Sequence, residues 1–482
     1  MDRVVAVTGA DRVKQLLPWL VAVAFFMESL DTTILNTAVP AIAAALQVEP
    51  LSMKAVLSSY TLSVAVFVPV SGWLADRFGT RRVFATAIAL FTLGSLLCGI
   101  STDIHMLVAC RILQGMGGAM MVPVGRLTLV RTFPKSELVR AMSFVAIPAL
   151  IGPMLGPVAG GFIVHYLHWR AILFVNLPIG LLGLYMVWRH LPDYRAEDPD
   201  PLDWIGLVLF SAGIALLSYV LEVFGDHSLS AREMLALLGI SMALLAAYGR
   251  HAITMPRPLL RLMLLRIRTF RVAVCGSFVT RLGAGGMPFL LPLLYQIGMG
   301  FSPVQAALLI VPQPLAAICL KMAVPHILAR FGYRRVLLWN TVLMGALIML
   351  FATIGPGTPV WQILVQAFLF GFCSSLQYSS MNTLVYADIA RPDASMASTM
   401  ASTFQQMSLS FGVATASLAA ALFIPESVHS DPSQLVHGIH LAVIALGGLT
   451  VLSALVFREL KMSDGAAVSR GQDEVPKPSV IE

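Results

Sequence analysis

Glu28 and Asp31 stand three residues apart inside an apolar run that begins near Leu17. Residues at that spacing share one face of a helix. An ionisable side chain at hydrocarbon depth is costly, which makes such a carboxyl a functional site by default. The chemistry open to this pair is proton uptake and release. Arg111 and Arg281 are the basic counterparts in two other apolar runs. At 1.5 Å per residue, Glu28 lies roughly 16 Å and Asp31 roughly 21 Å from the start of its run. On the same scale Arg111 lies at about 22 Å and Arg281 at about 15 Å. Asp31 is thus level with Arg111, and Glu28 with Arg281. A carboxyl that alternates between apolar surroundings and an arginine partner can load a proton on one side and release it on the other. Asp31 and Glu28 are therefore candidates for taking up and releasing protons, with Arg111 and Arg281 as basic partners facing the same cavity. Lys321 and Arg126 fall near the ends of their runs, where snorkelling or gating is expected.

The elements that would hold these residues follow from composition. Of 482 residues, 57% are hydrophobic and 12% charged, against about 25% charged in soluble domains. Mean hydropathy is +0.82. Apolar runs of about 20 residues recur, long enough to cross a hydrocarbon core about 30 Å thick. They are continuous rather than alternating, which predicts helices and excludes a barrel. Fourteen spans are predicted, near 17–38, 55–74, 83–100, 106–130, 139–163, 171–190, 203–223, 233–250, 271–295, 303–325, 335–355, 360–386, 396–424 and 438–457. The first fifteen residues are too polar for a signal peptide. The tail from Ser463 is polar and expected to be disordered. The five cysteines (Cys98, Cys110, Cys275, Cys319, Cys373) lie within apolar runs without CxxC spacing, so they read as small buried hydrophobes with no metal or disulfide framework.

Charge alternates between successive connections. One set carries Arg77, Arg81 and Arg82; Arg131, Lys135 and Arg140; Arg189 and Arg195; Arg250, Arg257, Arg261, Arg266 and Arg268; Arg330, Arg334 and Arg335; and Arg391. The other carries only Lys54, Arg170 and Arg232. The formal charge of +7 is thereby a matter of topology rather than of nucleic-acid binding. The positive-inside rule puts the basic connections and both termini in the cytoplasm. RFGTRRV at Arg77–Val83 recurs as RFGYRRV at Arg330–Val336, six of seven positions being identical. Both copies follow an even-numbered span, so the two halves run in parallel, a known transporter layout. The expected organisation is a cytoplasmic segment 1–16, a six-helix bundle 17–190, two additional helices within 203–250, a second six-helix bundle 271–457 and a cytoplasmic tail 458–482.

Three motifs deepen this reading. Gly72–Arg82 reads GWLADRFGTRR: Gly72 allows close helix contact, Gly79 suits a tight turn, and Asp76 can cap the next helix or pair with Arg77, Arg81 or Arg82. Leu107–Met120, LVACRILQGMGGAM, sets Arg111 among small residues. Ile151–Gly161, IGPMLGPVAGG, combines Pro153 and Pro157 with Gly152, Gly156, Gly160 and Gly161, giving a flat face and sites for a kink. With LDTTILNTAVP (Leu30–Pro40) and HWRAILFVNLPIG (His168–Gly180), these resemble, in order, the signatures of the major facilitator superfamily, in its fourteen-helix drug:proton antiporter branch. The resemblance implies an all-α membrane fold of two parallel six-helix halves plus two helices, and a gating role for Gly72, Asp76, Arg77, Gly79, Arg81, Arg82, Arg330 and Arg334. It also implies a link between Arg111 and proton coupling, and an antiporter motif in the Gly152–Gly161 helix. The second loop copy has Ala329 where Asp76 stands in the first, so a latch there lacks that carboxylate.

The expected function is export of small molecules, with amphiphilic drugs or biocides as the leading cargo, driven by the proton gradient from the bacterial inner membrane. A small anionic or zwitterionic metabolite or metal chelate is the alternative cargo, since two acids and two arginines near mid-depth leave no net negative field. Phe25, Met121, Phe289, Gln296, Tyr378, Asn382 and Gln405 are placed at the cavity by position, with Phe26, Met120, Tyr295 and Met381 beside them; soft and aromatic side chains suit apolar ligands. The expected partners are the substrate, protons and membrane lipid, with no cofactor, metal or nucleic acid and no required oligomer. The ten histidines form no catalytic constellation, so an enzyme is not expected, and no GxxxxGK[ST] suggests ATP drive.

Overall fold

In the computed structural model, the described residues are 9–133, 135–196, 201–223, 230–321, 323–390, 393–423 and 432–465. Among them there are helices and connections but no strand. Thirteen helices are long and apolar enough to cross a membrane. With the 32-residue helix Lys135–Tyr166 in its place in the order, the spans are α1 (Leu16–Leu46), α2 (Pro50–Phe78), α3 (Thr80–Gly99), α4 (Ile104–Thr132), α5 (Lys135–Tyr166), α6 (Arg170–His190), α7 (Trp204–Leu221), α8 (Arg232–Thr254), α9 (Arg268–Gly298), α10 (Pro303–Leu320), α11 (Tyr333–Thr353), α12 (Val360–Leu384), α13 (Met396–Phe423) and α14 (Gln434–Glu459). Parts of the expected N-terminal segment and tail, and Arg391, lie outside the described residues.

Local chemistry sets several boundaries. Asp103 accepts from the Met106 N–H at 2.9 Å and so caps α4. That bond holds its carboxyl below the usual value. Ser302 and Gln305 close a capping box at the start of α10. α1 runs further than the sequence suggests, to Leu46, because a short 3-10 turn at Asn36–Ala38 lets the helix resume with Pro40 in its first turn. The expected span 303–325 is instead α10 followed by a separate short helix, Val324–Phe331, with Pro325 at its start. Of the cysteines, Cys98, Cys110 and Cys373 are buried, whereas Cys275 is half-buried and Cys319 is exposed on its helix.

The repeat has the same backbone in both copies. Gly79 and Gly332 take φ of 94° and 75°, values open to glycine. Each N–H returns to the carbonyl four residues back, Gly79 to Ala75 at 3.0 Å and Gly332 to Leu328 at 2.9 Å. These turns mark one end of the bundle, the basic end.

α1 to α6 pack on one another, as do α9 to α14. The halves touch through α2 with α13 and through α5 with α10, while α7 and α8 pair and α7 lies against α2 and α13. At the end opposite the basic loops, one hydrophobic cluster draws on both halves, with Leu30, Ile34 and Val39 beside Leu290, Leu294 and Leu309. Toward the basic end the core divides. One cluster belongs to the first half (Leu17, Val21, Phe84, Val124, Val187). The other belongs to the second half with α7 and α8 and takes in Ala65 and Val70 of α2, with Leu62, Trp73 and Leu74 packed against it. The halves share one core at the far end and keep largely separate cores toward the basic end.

Candidate functional site

Asp31 and Arg111 meet. Arg111 Nη1 lies 2.6 Å from Asp31 Oδ2, and both side chains are 1% exposed. Two amides complete the cluster: Gln114 Nε2 donates to Asp31 Oδ1 at 2.8 Å and Asn176 Nδ2 donates to the same oxygen at 2.9 Å. Gln114 also accepts from Arg111 Nη1 through Oε1 at 2.7 Å. Asn176 donates to Ser95 Oγ at 3.1 Å. The guanidinium stands 4.2 Å from the centre of the Tyr60 ring, a cation–π contact in desolvated surroundings. A buried ion pair is tolerated only when further hydrogen bonds satisfy its lone pairs, and these amides supply them.

Five helices of one half build this cluster, all at the same level. Arg111 lies seven residues into α4, roughly 10 Å from its end at 1.5 Å per residue. Asn176 lies six residues into α6. α4 can approach its neighbours because its residues here are small. A Cβ on Gly115 would come within 2.7 Å of Ser63 on α2, and one on Gly117 within 2.6 Å of the Phe91 amide on α3. Gln114 and Asn176 stand in motifs visible in the sequence, yet nothing about an isolated amide marked them as partners of Asp31; the i, i+3 spacing of Arg111 and Gln114 was the available signal.

The glycine face of α5 is used in full. Gly152, Gly156 and Gly160 abut Ser29, Thr33 and Thr37 of α1, while Gly161 turns to α10 and abuts Pro303 and Ala307. Thr37 Oγ1 donates to the carbonyl of Pro157 at 3.3 Å. Pro153 and Pro157 lie inside the helix. The helix carrying Asp31 thus lies on a groove without side chains, and the next glycine carries the contact to the other half.

Glu28 and Arg281 do not pair. Glu28 is half-buried, and the charges acting on it are Asp31 and Arg126. Arg126 is exposed on α4, 5.6 Å from the centre of the Phe25 ring. Arg281 is 6% exposed, lies 3.7 Å from the centre of the Tyr378 ring and donates from Nε to Ser277 Oγ at 3.2 Å. Equal depth placed Glu28 and Arg281 at one level, but a shared depth does not fix the distance between two helices.

The positional cavity assignments divide. Met121 and Phe289 are 0% exposed and belong to the packing cores, and Phe25 is buried at 5%; depth along a helix says nothing of its rotation. Gln296 sits in the far-end contact, where Nε2 donates to the Thr37 carbonyl at 2.9 Å. Tyr378 and Gln405 are half-buried and Asn382 is exposed.

In the first basic loop Asp76 pairs with Arg131 at 2.6 Å rather than with Arg77, Arg81 or Arg82. Gly79 and Thr80 instead receive the segment after α6: the Thr80 N–H donates to the Tyr194 carbonyl at 3.0 Å, and the Arg81 N–H donates to Asp193 Oδ1 at 3.2 Å. Arg77 and Arg82 are exposed. In the second loop Arg330 is exposed, 5.6 Å from the centre of the Phe331 ring, and Arg334 is half-buried. A Cβ on Gly72 would meet nothing within 4 Å, so this glycine serves no close helix contact here.

The bundle of two parallel halves and the buried pair between its first and fourth helices define a membrane transporter. The sequence profile of the Major Facilitator Superfamily matches residues 21–413 and 276–478, and the chain belongs to that superfamily. It is a multi-pass transporter of small molecules, not an enzyme. Its curated relatives include the "Putative multidrug resistance protein MdtD" of Pectobacterium atrosepticum, 41% identical over 92% of this chain and 95% of the relative. The protein of that name from Escherichia coli O157:H7 is 40% identical over 91% of this chain and 93% of its own. Among solved structures, the POT family transporter PepTSo shares the fold with a TM-score of 0.67 at 16% identity, covering 95% of this chain and 99% of that one. The nucleoside transporter NupG matches with a TM-score of 0.64 at 13% identity, covering 92% and 100%.

Proposed function

We propose that this protein is a proton-coupled exporter of small amphiphilic molecules, working by alternating access in the bacterial inner membrane with both termini in the cytoplasm. The observation that carries the reading is Asp31, a buried carboxylate that supplies the only anionic contact to Arg111 among the described residues. A proton added to Asp31 leaves Arg111 as a buried cation without its counter-charge, which is strongly unfavourable. The cluster then has to rearrange. α1 carries that rearrangement to the interface, because six residues on its Thr37 carbonyl takes the hydrogen bond from Gln296 of the other half. Movement of α1 along the side-chain-free face of α5 bears directly on the contact that seals the far end. With the basic loops cytoplasmic, the shared core lies at the periplasmic end, and the separate cores of the two halves face the cell from which cargo would be taken. Glu28, half-buried one turn before Asp31 on α1, is the second carboxyl available to protons or to a cationic substrate. The names of the relatives agree with drug export.

The test is accumulation of an amphiphilic dye such as ethidium in cells with and without the protein, with a protonophore as control. Lower accumulation that a protonophore abolishes supports the reading. Efflux that persists with the protonophore, or unchanged accumulation across a panel of amphiphiles, overturns it.

A further inference from the structure

Arg281 is the buried arginine of α9 in the second half, and unlike Arg111 it has no acid beside it among the described residues. Residues 271–387 contain no Asp or Glu. The described carboxylates of this half are all at the basic end and engaged there. Arg261 holds Asp393 at 2.5 Å and Arg268 holds Asp464 at 2.6 Å. Arg271 holds Glu459 at 3.0 Å, and Thr269 donates to Asp388 at 2.8 Å. Arg281 is more than nine-tenths buried, and of its five N–H donors only Nε has an acceptor, Ser277, among the described residues. Stacking on Tyr378 steadies the guanidinium plane but supplies no counter-charge, and leaves the outer edge free for the paired hydrogen bonds that a carboxylate accepts. Apolar surface adjoins it. Phe278 lies one turn before Arg281 on α9, and its ring centre is 6.3 Å from that of Phe404 and 6.0 Å from that of Phe411, both on α13.

We propose that Arg281, stacked on Tyr378 and one helical turn from the Phe278–Phe404 ring pair, is the subsite for a carboxylate or similar oxyanion on an amphiphilic substrate, whose apolar body lies against those phenylalanines. This rests on the exporter reading and names a substrate class for it. The cargo brings the negative charge that the second half lacks, while the first half keeps its own in Asp31.

The experiment uses the purified full-length protein in proteoliposomes under an imposed pH gradient, with three probes: dansyl-leucine, its neutral carboxamide, and ethidium. Wild-type protein is expected to carry the carboxylate roughly ten- to a hundredfold better than the carboxamide, the range for one charge-assisted pair. Arg281→Gln should bring that ratio to near one while ethidium transport persists, and Arg281→Lys, which keeps the charge but not the planar fork, should fall between. The wild-type comparison needs no variant and stands if a substitution impairs folding. Equal transport of carboxylate and carboxamide by the wild type, or an unchanged preference in Arg281→Gln, overturns the subsite. Loss of all probes alike in a well-folded Arg281→Gln overturns it in favour of an ion pair with Glu28 of the other half formed during transport. Wild-type protein that moves none of the probes in response to the gradient refutes the exporter reading itself.

Discussion

Replacing Asp31 by Asn changes one oxygen for an NH₂ group and leaves the shape intact, so its consequences can be worked out from the hydrogen bonds. The carboxylate accepts from Arg111 at 2.6 Å, Gln114 at 2.8 Å and Asn176 at 2.9 Å. An amide has a single acceptor oxygen. Either Arg111 or the two amides must face an NH₂ group, donor against donor, and the guanidinium loses its counter-charge in any orientation. Breaking a buried pair by removing one partner costs about 3–5 kcal/mol. Arg111→Gln alone should cost a similar amount, because Asp31 is then the uncompensated charge. The double variant Asp31→Asn, Arg111→Gln removes both charges together and should be less destabilised than the sum of the singles by up to about 3 kcal/mol. Thermal unfolding in one detergent reads the cycle, and proton-driven dye uptake in proteoliposomes reads function. Function should not follow stability: the double variant recovers much of its folding and none of its proton-driven transport. A double variant whose cost equals the sum, or an Asp31→Asn protein that still transports on a proton gradient, would refute the reasoning.

Gly156→Leu should separate α1 from α5, since Thr33 occupies the place of the added side chain; overpacking of this kind costs about 1–3 kcal/mol and should slow transport, whereas Gly72→Ala should leave thermal stability unchanged or raise it by up to about 1 kcal/mol. Asp76→Asn breaks a pair whose side chains are 38% and 28% exposed, so unfolding should shift by no more than about 1 kcal/mol, and a fall in transport rate without a fall in stability would mark the loop as part of the gate. Asp203, just outside α7, is buried, which opposes its charge, yet the Gly206 N–H at 2.8 Å, His251 at 2.7 Å and the Leu259 N–H at 3.1 Å outweigh burial and hold its carboxyl below the ordinary 3.8. Its contribution to stability is therefore complete at any pH above the unfolded value and is lost only as pH falls through the lower folded one. Asp203→Asn should lower the unfolding temperature at pH 7 and make no difference well below pH 3.8; a loss that is the same at both pH values would contradict this.

The spans, their order, the parallel halves and the pairing level of Asp31 with Arg111 were legible in the chain because each follows from a one-dimensional rule: run length against bilayer thickness, alternation of basic loops, a repeated heptapeptide and a fixed rise per residue. Even the face of α5 was legible, since four-residue glycine spacing is a periodicity. Rotation about each helix axis and the distance between halves have no such rule in helices that are apolar all round. Hence Met121 and Phe289 turned into the packing core, and Gln296 went to the far-end contact. Gln114 and Asn176 became ligands of Asp31 only when three helices met. Glu28 and Arg281 share a level by that count, yet belong to different halves and are not paired. Sequence determined which charges enter the membrane and how deep; packing decided which of them are compensated, and it left Arg281 without an acid.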